Sequence, residues 1–315
     1  MAESRTVVYG AIAGNVAIAV TKFIVAGITG SSAMMSEAVH SLVDTGNGVL
    51  LLIGFKRSAR KGDPAHPFGY GKEIYFWSLI VAILIFGIGG GISAYEGVLH
   101  MRNPEPLTDP KWNYIVLAAA AVFEGISLGI GLRAVFQQKG DKSFWRALHT
   151  SKDPGIFTVV AEDSAAMIGL AIAALGVYGS HRLDMPVLDG VASLAIGVLL
   201  AGVAVLLILE SRGLLIGEGI DRATAVAIRE MVMADGAVQS AAMPLSMYLG
   251  PENVLVTLDA AFMPELSFPQ VAGAVCRLER RIRERYGRIQ RIYIAPQPPA
   301  AIDAVPAMAN RGGPG

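Results

Sequence analysis

Residues 33–55 read AMMSEAVHSLVDTGNGVLLLIGF, an apolar run that contains a few polar side chains. The run is long enough to cross the hydrocarbon core of a membrane, which requires about 20 residues of α-helix. Its middle nevertheless carries His40 and Asp44. Ionisable side chains within a membrane span are energetically costly and therefore usually have a function. The run predicts a transmembrane helix with a polar site near its centre.

The composition of the whole chain also favours a membrane protein. Of the 315 residues, 53% are hydrophobic and 17% are charged, whereas about a quarter of the residues of a soluble domain are charged. The 26 Lys and Arg residues balance 26 Asp and Glu residues, which argues against a nucleic-acid-binding protein. Because the chain has one cysteine, Cys276, and five histidines, we expect any metal site to be rich in carboxylates.

Five further apolar stretches are long enough to span a membrane. They cover residues 7–29, 74–99, 114–136, 156–178 and 187–209. Basic residues cluster between spans two and three and between spans four and five. These are Lys56, Arg57, Arg60, Lys61 and Lys72, and Arg133, Lys139, Lys142, Arg146 and Lys152. Because basic loops remain in the cytoplasm, we expect both termini of the chain to lie there.

The sequence after Glu210 has the pattern of a small soluble domain. Residues 223–234 and 270–286 predict amphipathic helices, and residues 254–262 and 289–294 predict strands. Residues 240–248 predict another strand, which Pro244 limits to a sheet edge or a bulge.

We therefore expect an α-helical membrane protein with six transmembrane helices, followed by a small α+β domain. The expected boundaries are residues 1–211 for the membrane domain, 212–296 for the α+β domain and 297–315 for a disordered tail. The tail is rich in Pro, Ala and Gly. Since about 80 residues form only a marginal core, we expect the α+β domain to pack against a second copy of itself.

His40 and Asp44 are spaced i, i+4, which places both side chains on one face of span two. Neutral imidazole and carboxylate both suit zinc. A lone histidine would more often be a hydrogen-bonded core residue. An aspartate beside it within the membrane instead favours a metal or proton role.

Span five carries Glu162 and Asp163 within TVVAEDSAAM. Adjacent helical positions differ by about 100°, so both side chains can face a bundle interior only if one reaches sideways. Asp163 is the firmer candidate for a metal ligand. Glu162 has a longer side chain that would supply a fourth ligand. In the alternative interpretation, which stays open, Glu162 hydrogen-bonds a neighbouring helix or takes up protons.

These segments, in this order, resemble the cation diffusion facilitator family of metal/proton antiporters. The matching features are HSLVD in span two, HPFGYGKEIYFWSL at residues 66–79, the acidic motif of span five, PVLDGVASL with Asp189 in span six, and the α+β domain. The resemblance covers residues 7–295, and its HPFGYGK segment is specific. The VVAEDSAA form of span five is similar to the branch that contains mitochondrial zinc exporters.

The resemblance implies a transport site of two residues from span two and two from span five. His40, Asp44 and Asp163 match three of these positions, and the fourth falls on Val159, which cannot bind a metal. This departure adds weight to Glu162 as a ligand. One histidine with three carboxylates offers more oxygen ligands than two histidines with two carboxylates. Such a set suits manganese, iron and cobalt better, so these metals are alternatives to zinc.

The family also implies a second metal site in the loop between spans two and three. Asp63 and His66 match two of its positions, and Tyr70 stands where a histidine is common. Two ligands in a solvated loop bind weakly, so the more ordinary interpretation is a turn that His66 caps. The α+β domain has no histidine, which favours a dimerisation module over a metal sensor.

The expected function is export of a divalent cation, first of all zinc, in exchange for protons by alternating access. Metal binding requires a neutral His40 and ionised carboxylates, so metal and protons compete for the same atoms. We expect a homodimer in the bacterial inner membrane, without a permanently bound cofactor, a nucleic-acid partner or enzymatic activity. The alternatives are a manganese, iron or cobalt antiporter of the same family and a non-transporting membrane scaffold. The absence of HExxH and GxSxG motifs disfavours a membrane metalloenzyme.

Overall fold

A computed structural model describes residues 2–139 and 154–304. These residues belong to two compact units. One unit contains the chain up to Arg57 and from Glu73 to Arg212, and the other contains Ser58–Lys72 and the chain from Gly213 onward. Lys142, Arg146 and Lys152 of the predicted basic loop lie outside the described residues, as do residues 305–315 of the predicted tail.

The described part of the membrane unit contains six long helices, named α1 to α6 in chain order. They are α1 Ala2–Thr29, α2 Ser32–Ser58, α3 Glu73–Arg102, α4 Lys111–Lys139, α5 Pro154–Arg182 and α6 Val187–Ile216. Helices α2 to α6 are long and apolar enough to span a membrane over the part of each that is described, and α1 is a helix of 28 residues. The predicted series of membrane helices is confirmed.

Helices α3 and α6 pack with their backbones in close contact. A π-helical turn, Ile85–Gly90, interrupts α3 within its glycine-rich run. At Gly97, a Cβ atom would lie 2.6 Å from the backbone nitrogen of Leu194 and 2.8 Å from the carbonyl oxygen of Gly190. Small residues allow this approach, which is a common way for membrane helices to associate.

The N-terminus of α2 is held by a carboxylate from α6. Asp189 is fully buried, and its two oxygens accept hydrogen bonds from the hydroxyls of Ser31 and Ser32 and from the backbone nitrogens of Ser32 and Ala33. A negative charge also interacts favourably with the N-terminal end of a helix dipole. Asp189 therefore fixes the start of α2, the helix that carries His40 and Asp44.

The second unit contains the α+β fold expected from the sequence. Its elements are α7 Arg222–Met233, β1 Val238–Ala241, β2 Leu245–Gly250, β3 Asn253–Phe262, α8 Phe268–Arg285, β4 Ile289–Pro296 and α9 Pro299–Ala304. Strands β1 and β2 both pair antiparallel with β3, and β4 pairs parallel with β3, so the sheet is mixed. Pro244 lies in the break between β1 and β2, as its lack of an N–H requires. Ile228, Leu278 and Ile282 form part of the buried core.

Two parts of this unit differ from the division expected from the sequence. Residues 299–304, placed in a disordered tail, form α9, because Ile302 is an apolar side chain that the fold can bury. Residues 58–72, placed with the membrane helices, pack with the α+β unit. Gly71 allows this packing, since its backbone lies directly against Leu249 and Gly250. The guanidinium of Arg291 also lies 5.1 Å from the centre of the Phe68 ring.

Candidate functional site

Helices α1, α2, α4 and α5 enclose a cavity of about 280 Å³ in the membrane unit. Its acidic lining residues are Asp44, Glu124 and Asp163, one each from α2, α4 and α5. Asn15, Ser41 and Ser127 add polar groups, and the remaining lining side chains are apolar. Three carboxylates in one cavity within a membrane are costly unless they bind cations or protons.

His40 lies next to this cavity, and its two ring nitrogens make no hydrogen bond to a described residue. The side chain is 2% exposed, and its Nδ1 lies 3.4 Å from Oδ1 of Asp44. Both ring nitrogens and Oδ1 of Asp44 are buried and have no hydrogen-bond partner among the described residues. Most buried polar atoms in proteins are hydrogen-bonded, so these atoms are available to bind a cation or a proton.

Asp163 reaches the same cavity from α5. Its Oδ2 accepts a hydrogen bond of 2.7 Å from the hydroxyl of Ser127 on α4, which orients the carboxylate. The structure thus brings Asp44 and Asp163 to the same cavity, with His40 beside Asp44.

Glu162 has a different environment from its neighbour. The side chain is buried, does not line the cavity, and accepts a hydrogen bond of 2.8 Å at Oε1 from the side-chain amide of Asn47 on α2. The hydrogen bond to a neighbouring helix, one of the alternatives that the sequence left open, is therefore present. This bond occupies Oε1, so a ligand role for Glu162 would fall to its other carboxylate oxygen.

The candidate ligands do not close around one point in this conformation. Among the described residues, no three His, Cys, Asp or Glu side chains are close enough together to hold one metal ion. The set of His40, Asp44, Asp163 and Glu162 accordingly stays a prediction. Binding would require α2 and α5 to draw their side chains together, which is compatible with a protein that changes conformation as it works.

A buried ion pair that the sequence analysis did not identify adjoins the cavity. Lys22 of α1 and Glu37 of α2 are both fully buried, with 3.0 Å between Nζ and Oε2. Lys22 also donates a hydrogen bond of 2.7 Å to the hydroxyl of Ser41, which lines the cavity. The pair could have been predicted from the sequence, because Lys22 and Glu37 are opposite charges in two apolar helices and buried charges are usually paired.

The loop motif of Asp63, His66 and Tyr70 forms a turn in which the carboxylate is already occupied. Asp63 accepts hydrogen bonds of 2.7 Å from the backbone nitrogen of His66 and 2.6 Å from the hydroxyl of Tyr70. These hydrogen bonds, the one from Tyr70 first, lower the pKa of Asp63. The turn is therefore capped by Asp63 rather than by His66, and a second metal ion would have to compete with these bonds.

A family pattern described as the cation efflux transmembrane domain matches residues 8–216. The chain belongs to the cation efflux family. This result confirms the resemblance drawn from the motifs of spans two, five and six. The cation efflux protein is thus an integral membrane protein.

The sequence of this cation efflux protein is similar to those of two animal antiporters and a plant protein. It is 36% identical to the mitochondrial proton-coupled zinc antiporter of Xenopus laevis over 214 residues, which cover 67% of this chain and 38% of the antiporter. The same antiporter from Homo sapiens is 36% identical over 222 residues, 70% of this chain and 39% of the antiporter. Metal tolerance protein C4 of Arabidopsis thaliana is 30% identical over 295 residues, 92% of this chain and 62% of that protein. The chain therefore spans less than two thirds of the length of these relatives.

Proposed function

We propose that this cation efflux protein exports a divalent metal cation, with zinc as the first candidate, in exchange for protons. The observation that carries the proposal is the buried, unpaired imidazole of His40 beside Asp44 at the acidic cavity. The similarity to relatives named as proton-coupled zinc antiporters supports the same function.

The ligands themselves couple metal to protons in this mechanism. A cation binds when His40 is neutral and when Asp44 and Asp163 are ionised, and proton uptake by the same groups expels the cation. Histidine suits this exchange because its ordinary pKa lies near neutral pH. If the empty and unprotonated site rarely changes its orientation, a proton gradient drives metal transport by alternating access.

The charge balance of the exchange determines its response to the membrane potential. Two protons for one divalent cation move no net charge. One proton for one cation moves one net charge, which a potential of 100 mV favours or opposes by about 2.3 kcal/mol. Measuring flux at several imposed potentials would therefore give the stoichiometry.

We further propose that the protein is a homodimer in a bacterial inner membrane. The basic loops favour cytoplasmic termini, and we place the protein in a bacterial inner membrane, where the proton gradient points inward. The α+β unit would form the homodimer contact because a domain of this size has only a small core of its own.

The acidic cavity supports one alternative substrate class. Oxygen ligands suit manganese better than they suit zinc, so a manganese, iron or cobalt antiporter is the second candidate. A non-transporting scaffold would gain nothing from an unpaired imidazole and three carboxylates within the membrane.

Proteoliposomes that contain a zinc-sensitive dye test the proposal. We expect zinc uptake to depend on an imposed pH gradient, and to be lost in His40→Ala and Asp44→Ala. The exposed loop variant Glu105→Gln should transport as the wild type does. Zinc flux that ignores the pH gradient would refute the antiport mechanism, and normal flux in His40→Ala would refute the site.

A further inference from the structure

Helix α4 carries one acidic residue, Glu124, near the middle of its span. The neighbouring segment, AAAAVFEGISLGIG, is otherwise free of charge. A carboxylate at this depth is costly in a membrane protein, and such residues usually face a cavity or a partner. Glu124 therefore requires an explanation.

A role in holding the helices together does not explain Glu124. No described residue donates a hydrogen bond to it or forms a salt bridge with it. Two other acids of this region do have such partners: Glu37 pairs with Lys22, and Glu162 accepts a hydrogen bond from Asn47. The carboxylate of Glu124 instead lines the cavity that Asp44 and Asp163 share.

A second observation, on His40 next to this cavity, supports cation binding. His40 is 2% exposed, neither of its ring nitrogens has a hydrogen-bond partner among the described residues, and Nδ1 lies 3.4 Å from Oδ1 of Asp44. Buried imidazole nitrogens without partners are rare, and neutral imidazole is a common metal ligand. An acidic cavity and an unused imidazole thus meet at Asp44.

The helical geometry places Glu124 on the face of α4 that is turned towards Asp163 of α5. Ser127 follows Glu124 by three residues, which places both on one face of α4. Its hydroxyl donates a hydrogen bond of 2.7 Å to Asp163, so this face of α4 is turned towards α5. The Glu124 side chain is therefore already on the side from which it can approach a cation held by Asp163.

We propose that Glu124 is a ligand of the transported cation, together with His40, Asp44 and Asp163, in a conformation that draws these side chains closer together than they are here. The inference rests on the proposed transport function and changes its ligand set. Glu124 supplies from α4 the fourth ligand that Val159 cannot supply from α5, whereas Glu162 stays bonded to Asn47. One imidazole and three carboxylates from three helices would bind zinc and would also accept manganese.

Isothermal titration of the purified full-length protein with Zn²⁺ and with Mn²⁺ tests this assignment. We expect Glu124→Gln to raise the Zn²⁺ dissociation constant by about tenfold or more, since even a residue that only supports a ligand contributes a factor of this size. Mn²⁺ binding should fall at least as much, because it depends more on oxygen ligands. Glu162→Gln should raise the dissociation constant much less, because its carboxylate is bonded to Asn47, which is not one of the proposed ligands.

Two further variants make the result decisive. Glu96→Gln in α3, away from the cavity, should bind both metals as the wild type does. Glu124→Asp keeps the carboxylate and should bind Zn²⁺ more tightly than Glu124→Gln, which a general loss of folding would not produce. Wild-type affinity in Glu124→Gln, or a large loss in Glu162→Gln alone, would overturn the assignment.

The binding experiment also separates this inference from the proposed function. Metal binding is measured without a membrane or a gradient. Loss of binding in Glu124→Gln supports the ligand role even if the wild type transports metal without protons. If the wild type binds no divalent cation, the proposed function itself fails.

Discussion

At the scale of single residues, the site is defined by polar atoms without partners. The sequence identified His40 and Asp44 from their spacing on one helix face, and the structure leaves their facing atoms unpaired. For Glu162, the sequence offered a hydrogen bond to a neighbouring helix as one alternative but could not decide it, because the bond between α2 and α5 depends on helix packing that one sequence does not reveal. Glu124 was visible as a charge in an apolar span, but the sequence could not show that it lines the same cavity.

Val159 provides a gain-of-function prediction at this scale. It lies four residues before Asp163, so a side chain there is one turn away on the same face of α5. Val159→His should restore a nitrogen ligand and lower the Zn²⁺ dissociation constant by about tenfold, a typical contribution of a group at a metal site. Isothermal titration measures the change, and Val159→Leu serves as the apolar control. Unchanged Zn²⁺ affinity in Val159→His would mean that this face of α5 does not point at the bound ion.

At the scale of helices, the buried pair of Lys22 and Glu37 joins α1 to α2. Removing one partner leaves an uncompensated charge within the protein, which typically costs 3–5 kcal/mol, about as much as a large core truncation. We expect Lys22→Met to lower the thermal unfolding temperature strongly and Lys22→Met with Glu37→Leu to recover much of the loss. The unfolding temperature of purified protein in detergent gives the comparison. A double variant no more stable than Lys22→Met would show that the pair has another role.

The hydrogen bonds of Asp189 join α6 to the start of α2 and give a second prediction for helices. Asp189→Ala would leave the backbone nitrogens of Ser32 and Ala33 buried without an acceptor, at about 1–3 kcal/mol for each unsatisfied group. We expect a lower unfolding temperature together with weaker Zn²⁺ binding, because α2 carries His40 and Asp44. Glu105→Ala, in an exposed loop, should change neither quantity. Unaltered stability of Asp189→Ala would contradict the anchoring role.

Helical and strand elements were the part of the fold most accessible from sequence. The apolar lengths identified the membrane helices, and the amphipathic patterns identified α7, α8, β3 and β4. The single strand predicted at residues 240–248 is instead divided into β1 and β2, with Pro244 in the gap between them. The packing of residues 58–72 with the α+β unit could not be predicted from the sequence, because it depends on contact between Gly71 and the distant backbone of Leu249 and Gly250.

At the scale of the whole molecule, the account depends on thermodynamic coupling between the two substrates. If protons and metal exchange at one site, a gradient of either must drive the other, since the coupling free energy is reciprocal. Neither a channel nor a scaffold has this property. The reciprocal flux is therefore specific to an antiporter.

Proton flux driven by a zinc gradient tests the central claim most directly. Proteoliposomes with a pH-sensitive dye inside, and no initial pH gradient, would receive external Zn²⁺. The account predicts that the wild type acidifies the outside and raises the internal pH as zinc enters, and that His40→Ala and Asp44→Ala do neither. Zinc entry without any change of internal pH would contradict the account.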